Sequence, residues 1–396
     1  TTATTTTTNE VITTTHTMAV ARLPSNFRKI REVARHPCDS ISLGHLLRNT
    51  RPDTPSLIRA ARWLQVQLPV RFARRIEDFV QLPHVVVSNP HINNVLQTYL
   101  DTFDAVNAFG EIHTEVEMEE FRHLINAHMA KHGDGTRLVA EGYRQIRHAF
   151  PHMILDEFLH GHFTSRIATR ILMENFVIMH NSQEGYIGVV RQGMKPLKVI
   201  QGLAQELTRL TQNIYGTSPE VEYRGNLDCT LDYIPRHVSY MVQEVLKNAL
   251  RATVERHQAR VKNFEALPPV VVELQKGDVH VIIKISDQGG GMPKRLQQEA
   301  WQYGWTTVGD DDPTDEAQPL GRSEYNLKTE LAGFGFGLPL TRLHAQYFGG
   351  DVFMQALPGH GTDMYLLLTH LKEGTPSTEI DDLSTILEKG KASGLQ

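Results

Sequence analysis

The chain is 396 residues long, 40% hydrophobic and 21% charged, with a formal net charge of −5. That apolar content suffices for buried cores in two or three domains and excludes a wholly disordered chain, while the acidic balance counts against a nucleic-acid partner. No apolar run approaches the roughly 20 residues of a membrane helix. The two distant cysteines, Cys38 and Cys229, support neither a disulfide framework nor a closely paired zinc site, so a soluble intracellular protein in a reducing compartment is expected, without membrane insertion.

In chain order, residues 1–17 are threonine-rich with one acid, Glu10; Arg22, Arg28, Lys29, Arg31 and Arg35 follow against only Glu32. This hydroxyl-rich, basic, acid-poor composition reads as a transit-like or disordered segment over residues 1–39. From 40 to 182 the periodicity is helical. Leu57, Ala61, Leu64 and Leu68 share a face, as do Val95, Tyr99, Phe103 and Val106, and then Ile167, Ile171, Leu172, Phe176 and Met179. Pro69, Pro83 and Pro90 are expected to break the early helices. The pattern predicts a four-helix-type bundle.

Over residues 183–372 the texture changes. Gly185, Gly188 and Gly193 loosen the chain, and a helix is predicted over 196–215. Strands at 270–274 and 279–285 flank Lys276-Gly277-Asp278; strands at 352–357 and 364–368 flank Pro358-Gly359-His360-Gly361. Both read as hairpins. Helices at 235–257 and 338–348 intervene, which predicts an α+β layer with a mixed sheet and helices on one face. Residues 309–330 hold seven acids and two basic residues without periodicity, so a mobile loop is expected there, and a tail is expected over 373–396.

Three clusters carry candidate chemistry. Glu244 and Asn248 are four apart on a predicted helix, so a carboxylate and an amide share one face. Asp287-Gln288-Gly289-Gly290-Gly291 follows a strand directly, where an acid can accept from an exocyclic amine and glycines let backbone approach a ligand. Gly333-Phe334-Gly335-Phe336-Gly337-Leu338-Pro339 runs into a helix start, where N–H groups attract phosphate. Each alone is also consistent with a solvated face, a flexible turn or a glycine loop.

Their order is more specific. A helix with Glu and Asn, a strand with Asp and glycines, an acidic loop, a GxGxG helix start and Gly361-Thr362-Asp363 together resemble the GHKL ATPase superfamily, in a Bergerat-type sandwich. Walker A and the glycine-loop signatures of ordinary protein kinases are absent from the sequence. The runs Glu244-Val-Leu-Lys-Asn-Ala-Leu-Arg-Ala-Thr-Val-Glu255, Ser286-Asp-Gln-Gly-Gly-Gly291 and Ala332-Gly-Phe-Gly-Phe-Gly-Leu-Pro339 resemble the mitochondrial 2-oxo acid dehydrogenase kinases. So do Gln67-Leu-Pro-Val-Arg71 and Thr164-Ser-Arg-Ile167 in the helical half.

The resemblance implies a matrix enzyme that uses ATP and Mg2+, with K+ as a family precedent, to phosphorylate a serine of the E1α subunit of a 2-oxo acid dehydrogenase. It implies docking on the E2 lipoyl domain through the bundle, and a homodimer. Asn248 would bind magnesium and Glu244 would be the general base. Asp287 would read the adenine amine beside Gly289, Gly291 and Thr362. Gly333, Phe334, Gly335, Phe336, Gly337 and Leu338 would wrap the phosphates, and Lys247, Arg251, Thr306 and Thr307 would contact nucleotide. His132 and Arg166 would line a cationic pocket for inhibitory small acids. Tyr240 stands where pyruvate-type members place a histidine, Met129 replaces an arginine before His132, and the pyruvate-type Asp-Trp ending is absent, which leans toward the branched-chain type.

Two other readings compete. A sensor histidine kinase needs a phosphoacceptor histidine, but none of the 20 histidines is followed by Glu or Asp. An ATP-switched clamp would carry further domains, whereas few residues follow His370.

Overall fold

The computed structural model describes residues 26–39, 53–180, 183–257, 262–263, 265–306 and 334–369. The transit-like residues 1–25, the acidic loop and the C-terminal tail lie outside them.

The first half is a helical bundle. Its helices are α1 (Phe27–Ala34), α2 (Thr54–Gln81), a short α3 (His84–Val87), α4 (Pro90–Ala108), α5 (Glu115–Lys131), α6 (Gly135–Ala149) and α7 (Asp156–Met179). Side-chain caps set several starts: Asp53 accepts from Ser56 N, Asn89 from His91 N and Ile92 N, and Thr114 with Glu117 forms a capping box. Phe72, Phe79, Phe103, Phe121 and Phe163 fill the core, each at most 2% exposed.

Two expectations change here. Pro69 does not break a helix but lies buried inside α2, a helix of 28 residues; Leu68, Val70 and Phe72 are buried around it, so tertiary packing offsets the missing N–H. Within the segment read as transit-like, residues 27–34 form α1. Ile30 and Ala34 are buried against α2, and Arg74 donates to the Ala34 and His36 carbonyls at 3.1 and 2.9 Å, capping its end. Pro83 and Pro90 do sit at helix boundaries.

The second half is a layered α+β unit. Its elements are β1 (Tyr186–Ile187), β2 (Val190–Met194), α8 (Pro196–Tyr215), β3 (Val221–Gly225), β4 (Leu231–Tyr233), α9 (Pro235–Arg256), β5 (Val270–Lys276), β6 (His280–Ser286), α10 (Lys294–Glu299), α11 (Gly337–Gln346), β7 (Asp351–Leu357) and β8 (Gly361–Thr369). The main sheet runs β3-β5-β6-β8-β7, parallel only at β3–β5. Val281, Ile283 and Ile285 oppose Leu368, Leu366 and Met364, and all six point to the helix side. α9 lies over this face, between α8 and α11. The short strands β1, β2 and β4 form a second sheet that the periodicity does not reveal, being too brief to alternate. The sequence pattern does not announce β3 either.

The two halves meet through rings. Phe336, 4% exposed, has Tyr143 and Phe163 of the bundle at 5.8 Å and Tyr303 at 5.5 Å between centroids. Glu174 of α7 accepts from Arg170 at 2.5 Å and from Arg236 at the start of α9. Asn175 Oδ1 accepts from Val189 N at 3.1 Å.

Candidate functional site

Three parts of the second half converge: the middle of α9, the turn after β6 and the start of α11. α9 buries Val238, Met241, Val242, Val245, Leu246 and Leu250, which turns Glu244 and Asn248 to the edge of that face, one turn apart and half-buried. Glu244 Oε1 pairs with Lys247 Nζ at 2.9 Å, their side chains 15% and 8% exposed. Glu244 Oε2 rests against Gly337, where a Cβ would lie 2.2 Å from it. The first residue of α11 is therefore a glycine because a carboxylate occupies the space of its side chain, and a helix N-terminus favours that charge.

Asp287 follows the last residue of β6. Its Oδ1 accepts from Gly289 N at 2.7 Å and Thr362 N at 3.2 Å, and its own N–H donates to Thr362 O at 2.9 Å. Both bonds converge on Oδ1; Oδ2 takes none from the described residues. Burial pushes this carboxyl up to about 6 despite the two donors. Gly291, at φ 59°, passes so close to the β7–β8 hairpin that a Cβ would meet Leu357 O at 2.2 Å. Asp287, Gly289, Gly291 and Thr362 are thus one cluster, as the sequence order suggested.

The glycine segment differs from the expectation in two respects. Gly335 at φ 76° packs on the protein's own backbone, with a Cβ 2.4 Å from Trp305 O, and its carbonyl accepts from Gly304 N at 3.1 Å. The Phe336 side chain, expected at the nucleotide, faces the bundle instead; only its backbone remains for a ligand. Phe334 lies under the Arg144 guanidinium, 5.6 Å from the ring centroid. Leu338 is half-buried against the core, and Thr306 is half-buried at the other end of this contact. Thr307 and Gly333 lie outside the described residues. Arg251 sits 3.7 Å from Glu255, which accepts from Tyr215 of α8 at 3.0 Å; this places it on the α8 side of α9.

The bundle pair is brought together but is not doubly cationic. Thr102 Oγ1 lies 3.0 Å from His132 Nε2, and Phe72 stacks on the ring at 5.6 Å. Burial pushes His132 down to about 3, so it is neutral. The charge belongs to Arg166, whose guanidinium donates to the carbonyls of His132 and Gly133 and to Thr136 Oγ1. It caps the end of α5.

The donor set suits a nucleotide with a hard cation. No cluster of three His, Cys, Asp or Glu able to hold a metal occurs among the described residues. A magnesium ion shared with phosphates needs only one or two protein oxygens, which Asn248 fits. A cavity of about 690 Å³ reaches the Asp287 end of the site: Asp287, Gln288 and Gly361 line it together with Glu273, Lys284 and Asp363. No described helix is long and apolar enough to cross a membrane. His344, whose ring lies 4.8 Å from that of Tyr240 one turn before Glu244, comes from about 100 residues away, so no local pattern announces it.

Comparison with known proteins gives the family. Residues 40–191 match the family model for mitochondrial branched-chain alpha-ketoacid dehydrogenase kinase, and residues 233–372 match that for histidine kinase-, DNA gyrase B- and HSP90-like ATPases. A mitochondrial pyruvate dehydrogenase (acetyl-transferring) kinase of Arabidopsis thaliana is 31% identical over 89% of this chain and 98% of its own length. One from Schizosaccharomyces pombe is 28% identical over 87% and 96%. Human isozyme 1 is 28% identical over 78% and 72%.

Proposed function

Because this chain belongs to the mitochondrial 2-oxo acid dehydrogenase kinase family of the GHKL superfamily, we propose that it uses Mg-ATP to phosphorylate, and so inactivate, the E1α subunit of a mitochondrial 2-oxo acid dehydrogenase complex, in the matrix. It is a protein kinase. The pyruvate complex is the favoured substrate: the relatives above are named for it, and they outweigh the branched-chain lean drawn from Tyr240, Met129 and the chain ending.

The observation that carries the mechanism is the meeting of Glu244 Oε2 with the start of α11. In this reading Asp287 accepts from the adenine amine, and the backbone from Gly335 to Leu338 lies along the phosphates. The side-chain oxygen of Asn248 would hold magnesium, which when bound neutralises phosphate charge. Glu244 takes the proton from the substrate serine as its oxygen attacks the γ-phosphorus and the bond to ADP breaks. Lys247 holds Oε1 at 2.9 Å, which leaves Oε2 for the reacting side. Lipoyl-domain docking on the bundle and a homodimer through the sheet's outer face, where Phe353 is 46% and Leu357 64% exposed, belong to the same proposal.

The test is incubation with labelled ATP and, separately, purified pyruvate and branched-chain complexes. Label in the pyruvate E1α is expected. Glu244→Gln should keep Mg-ATP affinity but transfer phosphate slower by about 10²–10⁴-fold. Retention of most of the rate would remove the general-base role.

A further inference from the structure

Helix α6 of the bundle brings two arginines to the mouth of the nucleotide site, and the chemistry above uses neither. Tyr143, Arg144 and Arg147 lie on one side of its last two turns, at helical spacing. Each touches the second half. Tyr143 packs on Gly304, where a Cβ would lie 2.8 Å from its ring, and Gly304 N in turn donates to Gly335 O at 3.1 Å. Arg147 donates to Tyr303 O at 3.5 Å. Arg144 rests over the Phe334 ring at 5.6 Å, and Phe334 immediately precedes Gly335. From Phe334 to Gly337, where Glu244 Oε2 lies, is at most about 10 Å of chain. Arg144 is exposed and makes no ion pair among the described residues; the acid one turn before it, Glu141, is taken by Arg137 at 2.8 Å. On α9, Lys247 already faces Glu244 at 2.9 Å and Arg251 faces Glu255 at 3.7 Å. An exposed guanidinium on a phenyl ring is held weakly and can leave it for a phosphate, which its planar fork fits by two-point contact.

We propose that Arg144 reaches across from the bundle to the transferring phosphoryl group and is a catalytic residue of the phosphotransfer. This rests on the reading that the ATP phosphates lie along Gly335 to Leu338. As the serine oxygen bonds to the γ-phosphorus and the bond to the ADP oxygen breaks, the serine proton passes to Glu244 and negative charge shifts onto the leaving oxygen. Two N–H groups of Arg144 donate to the oxygens that carry this charge. The contact between the halves thereby gains a chemical use, because the site is complete only while α6 lies against residues 303–304 and 334–336. An acidic side chain of the protein substrate is the competing occupant. Phosphate is favoured because the guanidinium rests beside the backbone assigned to it.

Arg144→Ala and Arg144→Lys in the full chain test this, with Mg-ATP and whichever purified complex the parent labels. Arg144→Ala should lower kcat by about 10–100-fold, the loss of hydrogen bonding to a charged group. KM for the complex, Mg-ADP affinity and thermal midpoint should stay near the parent's. Free guanidinium at a non-denaturing concentration should restore part of the rate, which a packing role does not predict. Arg144→Lys keeps the charge without the fork and should fall between. Calorimetry with Mg-ADP and aluminium fluoride, a mimic of the transferring group, adds a readout without E1α. The parent should gain affinity over Mg-ADP alone, and Arg144→Ala should lose most of that gain. If the parent itself binds no Mg-ATP, the nucleotide reading falls, and this inference with it. If the parent binds Mg-ATP and phosphorylates while Arg144→Ala keeps the parent kcat and the fluoride gain, this inference alone is overturned. A raised KM for the complex at unchanged kcat would assign Arg144 to the protein substrate. A lowered thermal midpoint with weakened Mg-ADP binding would mark plain packing, and either result overturns the phosphate role.

Discussion

Burial pushes the Asp287 carboxyl up to about 6, well above an exposed aspartate. An amine donor needs the ionised form, so adenine recognition should be complete above that pH and lost as pH falls through it. Adenosine is the suitable probe, since it carries no titrating phosphate: its affinity should drop below about pH 6, with proton release on binding near that pH. For the free protein the sign is opposite. The folded pKa lies above the unfolded one, so this group's contribution to stability is present below about pH 4 and lost as pH rises through about 6. In Asp287→Asn, calorimetry should show weaker adenosine binding and no proton release. Denaturant titrations of that variant should show a flatter stability profile between the same limits. Asn248→Ala tests the neighbouring assignment; Mg-ATP affinity measured by titration calorimetry should be lost while adenosine affinity remains.

Among the elements, the start of α11 carries most of the site, and Gly335 shows how. Its positive φ and its approach to Trp305 O mean that the glycine serves the protein's own backbone before any phosphate. Gly335→Val should destabilise the fold by about 1–3 kcal/mol from the backbone conformation alone, in addition to weakening nucleotide binding. Urea unfolding with and without Mg-ATP measures both; an unchanged midpoint without nucleotide would return the glycine to a purely ligand-facing role. α2 teaches a related lesson. A proline inside a helical pattern is a local break signal, yet Pro69 is carried through by buried neighbours on both sides.

Across the whole molecule, an aromatic cluster joins the bundle to the ATP-binding layer, with Phe336 at its centre and Tyr143, Phe163 and Tyr303 around it. Truncating a buried phenylalanine typically costs about 3–5 kcal/mol, so Phe336→Ala should lower global stability by roughly that amount. The pair Tyr143→Ala and Phe336→Ala should show a coupling of about 0.5–1.5 kcal/mol in a double-mutant cycle. Additivity within error would mean that the rings do not join the two halves energetically. Because this contact flanks the glycine segment, the double variant should also bind Mg-ATP more weakly than either half's chemistry requires.

The sequence by itself determined the helical first half, the two hairpins, α8 and α9 nearly to the residue, and the pairing of Glu244 with Asn248. Those features are local: period 3.6, period 2, or a spacing of four on one helix. Asp287 and its glycines were legible for the same reason, since a strand end and a turn are adjacent in the chain. Only the tertiary structure decided that His132 is neutral and Arg166 caps a helix, because both facts depend on burial among α2, α4 and α7. It also decided that Phe336 belongs to the interface between the halves, and that His344 packs on Tyr240. Such contacts join residues from different elements, and no periodicity in one stretch of chain encodes which distant ring will lie against it.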